Sequence, residues 1–290
     1  MTTFDNFDET RVVQWIEAER KQTVTGLSVL PGATSSTIVE AALRSGERVV
    51  ARLHTNDAFY REVPDRLIHE FAALEAVADL DLPTPKPLAY DEHACGVPAI
   101  LMTHLVGDVD ISVSRSAIRA LATALHEIHG VQTAEFPWQF ASFTTSNHIM
   151  IPTWTSDIAL WEAALEVHAS GPPDEEVVFL HRDFHPTNVL WRGGAMSGVV
   201  DWIYACLGSA GADLAHCRLN LALMAGVPAA MAFAELYGVE PHPYWDVDEI
   251  FGTLPDPTFY PPWQTFGMTP IDVATLRRRI EEFLGTVVFV

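Results

Sequence analysis

The sequence predicts an α+β protein in two parts, a small β-rich part over residues 1–104 and a larger, mainly helical part over residues 105–290. Three observations predict it. Three β-like runs, residues 25–30, 37–43 and 47–53, follow one another with turn-forming residues between them. Beyond Gly107-Asp108 the apolar residues recur at helical spacing, as in Ile118, Leu121, Ala122, Leu125 and Ile128. The stretch 179–202, FLHRDFHPTNVLWRGGAMSGVVDW, reads as the end of a strand, a polar loop and a β-hairpin turned by Gly193-Gly194.

Composition bounds the function classes. The 290 residues are 49% hydrophobic and 19% charged, a globular composition with ample material for a core. Acidic residues number 38 against 17 basic ones, for a formal charge of −21. Such a surface repels nucleic acid and anionic membrane and attracts cations, so neither nucleic acid nor a membrane is an expected partner. Cys95, Cys206 and Cys217 form no CxxC pair and read as reduced, buried apolar residues. Asp5, Asp8 and Glu9 stand where a secretory leader would be basic and then apolar. The longest apolar run, residues 221–234, contains Pro228 and is too short to span a bilayer. Together these predict a cytoplasmic protein.

In chain order, Val12, Val13, Trp15 and Ile16 among charges predict an N-terminal amphipathic helix over residues 7–21. The three β runs follow, separated by Pro31-Gly32-Ala33-Thr34-Ser35-Ser36 and by Ser45-Gly46. Residues 64–80 read as a helix with Leu67, Ile68, Phe71, Leu74 and Val77 on one face. The Pro-rich connector at 82–87 is extended and leads into two strands, 87–90 and 98–102. Ser114 or Ser116 caps the helix that ends at His129. Residues 154–168 form a second helix, stopped by Gly171-Pro172-Pro173, and 219–236, 244–251 and 271–284 form further helices.

The chemistry is concentrated in the stretch 179–202. An apolar run ends at His181-Arg182-Asp183, Asn188 follows five residues after Asp183, and a second apolar run ends at Asp201. With residues 188–191 and 198–201 as hairpin arms, Asn188 and Asp201 fall at one end, near Asp183. Carboxylate and amide oxygens suit Mg²⁺, which brings substrate phosphates with it. The remaining carboxylate is free to accept a hydroxyl proton. A second reading takes His181, Asp183 and His185 as the HxDxH ligands of a metal hydrolase, and a third takes the cluster as ordinary loop residues.

The H-x-D-x-x-x-x-N loop with a downstream V-D-W resembles the aminoglycoside phosphotransferase and choline kinase-like family, which shares the protein-kinase fold. In that family the loop usually reads H-G-D, where this chain has Arg182, and the metal motif I-D-W, where it has Val200-Asp201-Trp202. The resemblance covers residues 25–236. It implies a two-lobed fold with ATP between the lobes, and transfer of the γ-phosphoryl group to an alcohol. It implies Asp183 as the base, Asn188 and Asp201 as Mg²⁺ ligands, and His181 as a brace of the loop. Asp213, in the retained end of a D-P-x-x-D-L-A pattern, would accept hydrogen bonds from the loop backbone. On the residues alone Asp213 is equally a helix N-terminal acid. Arg52 takes the place of the nucleotide-gripping Lys, with Glu70 as its partner. Ser35 and Ser36 lie where a phosphate-covering loop belongs. The short span from Asp201 to Asp213 leaves no room for a protein-kinase activation loop.

The expected partner is a small-molecule acceptor, an aminoglycoside-like antibiotic or another polyhydroxy or cationic metabolite. Tyr244, Trp245, Asp246, Asp248 and Glu249 read either as a solvated helix face or as an acidic, aromatic surface suited to ammonium groups. The alternative from another class is a non-catalytic nucleotide-binding or immunity-type module on the same fold; retention of Asp183, Asn188 and Asp201 argues against it.

Overall fold

The computed structural model describes residues 7–63, 65–133 and 135–289. Its chain divides into two compact units, Met1–Asp108 with Leu190–Tyr204, and Val109–Val189 with Ala205–Val290. The hairpin expected after Asn188 is thus grouped with the N-terminal unit, although it is inserted in the sequence of the second.

The first unit begins with α1 (Glu9–Arg20), whose first turn is capped by the Asp8 carboxylate accepting from the N–H groups of Thr10 and Arg11. Strands β1 (Val24–Leu30), β2 (Thr37–Leu43) and β3 (Arg48–Leu53) follow. After them come two helices, α2 (Asp57–Glu62) and α3 (Arg66–Ala76), then β4 (Pro87–Asp91) and β5 (Ala99–Thr103). The five strands form one antiparallel sheet in the order β1-β2-β3-β5-β4. Val12, Trp15 and Ile16 of α1 share a core with Val49, Ala51 and Leu53 of β3. The pleat therefore turns Arg52 to the other face. The sequence places one helix at 64–80; it is shorter, and Pro64 lies outside the described residues.

After β6 (Asp108–Val109), the second unit carries α4 (Arg115–His129), capped by Ser114, and α5 (Ile158–Ala169), capped by Asp157. Strand β7 (Val177–Leu180) leads into the loop 181–185 and a single 3₁₀ turn, Pro186–Asn188. The hairpin is β8 (Val189–Arg192) and β9 (Ala195–Val199), with Gly193 at φ +61° and Gly194 at φ +80°, as a type I′ turn requires. Its arms differ from the expected 188–191 and 198–201. Asn188 belongs to the 3₁₀ turn, and Asp201 at φ +70° has left the ladder. Gly198 is pressed against Leu105, and the Val199 N–H donates to the Pro83 carbonyl at 3.0 Å. These contacts tie the hairpin to the first unit.

Strand β10 (Cys206–Ser209) pairs antiparallel with β7. Helices α6 (Ala210–Ala225) and α7 (Val227–Tyr237) divide the long apolar run at Gly226 and Pro228. Helices α8 (Pro243–Phe251), α9 (Pro261–Thr265) and α10 (Val273–Val288) complete the chain. The second core is built on Trp161, Ala222, Val247, Ile250, Phe251, Ile280 and Phe283. Among the described residues no helix is long and apolar enough to cross a membrane.

Candidate active site

In the first unit the site residues gather on the Arg52 guanidinium. Its Nε lies 3.0 Å from Glu70 Oε1, its Nη2 donates to Asp201 Oδ1 at 2.7 Å, and its Nη1 donates to Ser36 Oγ at 3.3 Å. The forked geometry of arginine makes three divergent contacts possible, which a lysine could not reproduce. Burial opposes the charge on Arg52, and Asp201 and Glu70 more than offset it. Glu70 is almost fully buried; burial pushes its carboxyl up to about 7, against the pull of Arg52. Ser36 is buried on Arg52, and Ser35 is half-buried in the same turn. Asp201 owes its position to Trp202, which is fully buried with its indole N–H donating to the Val199 carbonyl at 3.1 Å. That tight turn leaves Asp201 in the left-handed region with its carboxylate partly exposed.

In the second unit the loop 181–183 hangs on Asp213. The carboxylate of this fully buried residue accepts from the backbone N–H of His181 at 2.8 Å and of Arg182 at 2.7 Å, with His129 Nε2 at 3.3 Å. Burial alone would raise the Asp213 carboxyl; the hydrogen bond from His129 and the loop N–H groups hold it below the ordinary range. His181 Nδ1 accepts from the Asp183 N–H at 3.3 Å. Arg182 has φ +69°, a region natural for glycine and costly for other residues. Its guanidinium packs on Phe143 at 3.8 Å and donates to Glu249 Oε1 at 2.8 Å.

Asp183 is enclosed by nitrogen donors. Its Oδ1 lies 3.1 Å from His216 Nε2 and 3.5 Å from His185 Nε2, and its Oδ2 accepts from Asn188 Nδ2 at 3.2 Å. Asn188 Nδ2 also donates to the Asp183 carbonyl at 2.8 Å. The amide oxygen of Asn188 is thereby left for another partner. Burial would raise the Asp183 carboxyl, but His185 and His216 hold it well below the usual range. It is a carboxylate at neutral pH, as a base must be. Asp183, His185 and His216 each offer an atom within 4.8 Å of the others, so this set could hold a transition metal. His181 of the HxDxH pattern is not in that set.

One expectation is corrected. The acidic segment of α8 is not an open surface. Asp246 pairs with Arg218, Asp248 accepts from His168 and Ser142, and Glu249 takes His216 and Arg182. Asp246 and Asp248 are buried and Trp245 packs edge-on against Phe140 and Tyr244. These acids neutralise buried bases, so they do not form a surface for ammonium groups. The sequence pattern does not single out His216, and it shows Glu249 only as one of the α8 acids, not as the partner of His216 and Arg182. His216 stands three residues after Asp213, on the same face of α6, which is the signal that would have found it.

A model of the phosphotransferase enzyme family, APH, matches residues 27–249 of the chain. Homoserine kinases from Methylorubrum populi and Beijerinckia indica are each 29% identical, over 140 and 135 residues, covering 42% of this chain and 41% of theirs. The chain thus aligns with less than half the length of the curated relatives it matches. Among solved structures, the aminoglycoside phosphotransferase APH(4)-Ia superposes with TM-score 0.65 at 18% identity, over 96% of this chain and 99% of that one. Choline kinase LicA from Streptococcus pneumoniae superposes with TM-score 0.64 at 17% identity, over the same shares. At these identities the likeness is one of fold. A thermostable mutant of APH(4)-Ia was solved in ternary complex with ADP and hygromycin B; it covers 96% of this chain and 99% of its own, with TM-score 0.64 at 17% identity.

Proposed function

We propose that this chain, which belongs to the phosphotransferase enzyme family, moves the γ-phosphoryl group of ATP to a hydroxyl of a small molecule. The observation that carries the reading is Asp183: a carboxylate kept ionised among nitrogen donors, on a loop whose backbone is fixed by a buried acid. Positioning and electrostatics do most of the work in phosphoryl transfer, and both are supplied here by side chains that are already held. The acceptor hydroxyl donates its proton to Asp183 as its oxygen bonds the γ-phosphorus. The bridging oxygen leaves with ADP.

Arg52 is the residue for the nucleotide phosphates. Its charge is secured by Glu70 and Asp201, and its fork matches phosphate oxygens. Asn188 and Asp201 would hold Mg²⁺. Each is a hard oxygen donor, Asn188 through its amide oxygen and Asp201 through a partly exposed carboxylate. Bound there, Mg²⁺ would neutralise charge on the phosphates.

The reading is tested by following ADP formation from Mg-ATP across a panel of acceptor alcohols, with L-homoserine, choline and hygromycin B among them. Acceptor-dependent ADP formation, abolished by chelation and absent in Asp183→Ala, is expected. Nucleotide binding with no turnover of any acceptor would favour a non-catalytic module. Ester hydrolysis without ATP would favour the metal hydrolase.

A further inference from the structure

Asp183 has a neighbour that the reaction scheme does not use. His216 Nε2 is 3.1 Å from Asp183 Oδ1, and on the other side of the ring its Nδ1 is 2.9 Å from Glu249 Oε2. Glu249 is held in turn by Arg182, the residue before Asp183. Asn220, one turn further along α6, donates to the His216 carbonyl at 3.0 Å and touches Nε2 at 3.3 Å. The loop is therefore gripped twice from α6. Asp213 takes the backbone of residues 181 and 182, and His216 takes the side chain of residue 183.

An ionised carboxylate has about four acceptor positions, two on each oxygen. On Asp183, Oδ1 faces both imidazoles and Oδ2 faces the Asn188 amide. Three positions are taken and one remains, on Oδ2. A ring that bridges two carboxylates donates from both nitrogens, which is the bonding of an imidazolium. Burial works against that charge, but Glu249 and Asp183 push the His216 ring up to about 10. A ring so bonded offers no lone pair to a metal, so the bridge and a metal on Asp183, His185 and His216 are exclusive alternatives.

We propose that His216 is the positioning residue of the base: tied to Glu249, it fixes Asp183 Oδ1 so that Oδ2 alone is presented to the acceptor hydroxyl. This rests on the phosphotransferase reading above. Without His216, Oδ1 keeps only the longer contact to His185 at 3.5 Å, and the direction of the oxygen facing the acceptor is less closely fixed. Misplacement of a reacting group by about 1 Å costs on the order of 10²-fold in rate.

The test uses the whole chain with Mg-ATP and water as the acceptor. In that reaction a water proton passes to Asp183 as the water oxygen bonds the γ-phosphorus and ADP leaves. His216→Ala is expected to lower kcat by roughly 10- to 100-fold while the KM for ATP stays within about twofold. His216→Gln retains an amide N–H donor for Asp183 but cannot bridge to Glu249; it is expected to recover part of the lost rate. Equal kcat in His216→Ala and wild type, or equal loss in the Ala and Gln variants with matching falls in melting temperature, would overturn the proposal. An ¹⁵N–¹H spectrum assigned by comparison with His216→Gln reads the ring directly. Protons on both ring nitrogens at pH 7.5 are expected, and a singly protonated ring would refute the bridge. Retention of one zinc per chain after dialysis, lost in His216→Ala, would overturn it in favour of a metal centre. If wild type turns over no ATP with any acceptor, the phosphotransferase reading fails, and the spectrum still decides the bridge.

Discussion

Replacing Asp213 by Asn should loosen the loop 181–183. The carboxylate accepts two buried backbone N–H groups, from His181 at 2.8 Å and Arg182 at 2.7 Å. Hydrogen bonds to a charged partner contribute about 1.5–3 kcal/mol each. The Asn amide keeps one acceptor oxygen, worth about 0.5–1.5 kcal/mol, and turns its NH₂ toward the other N–H. The net loss is therefore about 3 kcal/mol. In a chain of this size that lowers the melting temperature by roughly 6–12 °C, followed by circular dichroism or calorimetry. The pH dependence has a defined sign. The Asp213 carboxyl is held below its ordinary range. Its contribution is thus present above the unfolded value near 3.9 and is lost as pH falls through the lower folded value. The stability gap between wild type and Asp213→Asn should be flat from about pH 5 to 8 and close below about pH 4. A fall of less than about 2 °C, or a gap that widens in acid, would show that the carboxylate does not hold the loop.

Three further outcomes follow from the same geometry. Asp183→Ala should cut turnover by about 10²–10⁴-fold with nucleotide binding retained, read by ADP release and by calorimetry; turnover within a few-fold of wild type would remove Asp183 as the base. Arg52→Lys should raise the KM for ATP less than Arg52→Ala, because Lys keeps the charge and loses the fork; equal effects would mean that Arg52 does not address the phosphates. At position 182 the usual order of Ala over Gly should invert. Both substitutions remove the Glu249 contact, but Gly relieves the φ of +69°, so urea unfolding should find Arg182→Gly more stable than Arg182→Ala by about 1 kcal/mol.

The parts legible in the sequence were those written in local pattern. The β runs of β1–β3 with the turn residues between them, the Gly193-Gly194 turn and the stripe on α4 each depend on neighbours a few residues apart. The family motifs were legible for the same reason. What was missed depends on partners far along the chain. Strand β10 is four residues long and exists because β7 pairs with it. Asp246, Asp248 and Glu249 at their spacing on α8 look like a solvated acidic face. Each is instead the counter-charge of a distant base: Arg218, His168, and His216 with Arg182. No window over residues 243–251 contains that information.

Position 182 shows how the two kinds of information meet. The family usually has glycine there, and φ +69° is the reason that glycine suits it. This chain carries arginine and accepts the left-handed strain, of order 1–2 kcal/mol. The structure shows what the side chain gains in exchange: a face of Phe143 and a buried contact to Glu249. Glu249 is also the carboxylate that holds His216 against Asp183. The departure from the family pattern and the His216 contact to Asp183 are therefore one arrangement. Removing Arg182 leaves Glu249 with His216 alone, so the effect of any change at 182 on turnover should depend on what stands at 216. In a double-mutant cycle of Arg182→Gly with His216→Gln, the two losses in kcat should combine to less than their product, by a coupling of about 0.5–3 kcal/mol. Strict additivity would separate the two residues and leave the arginine as a packing substitution only.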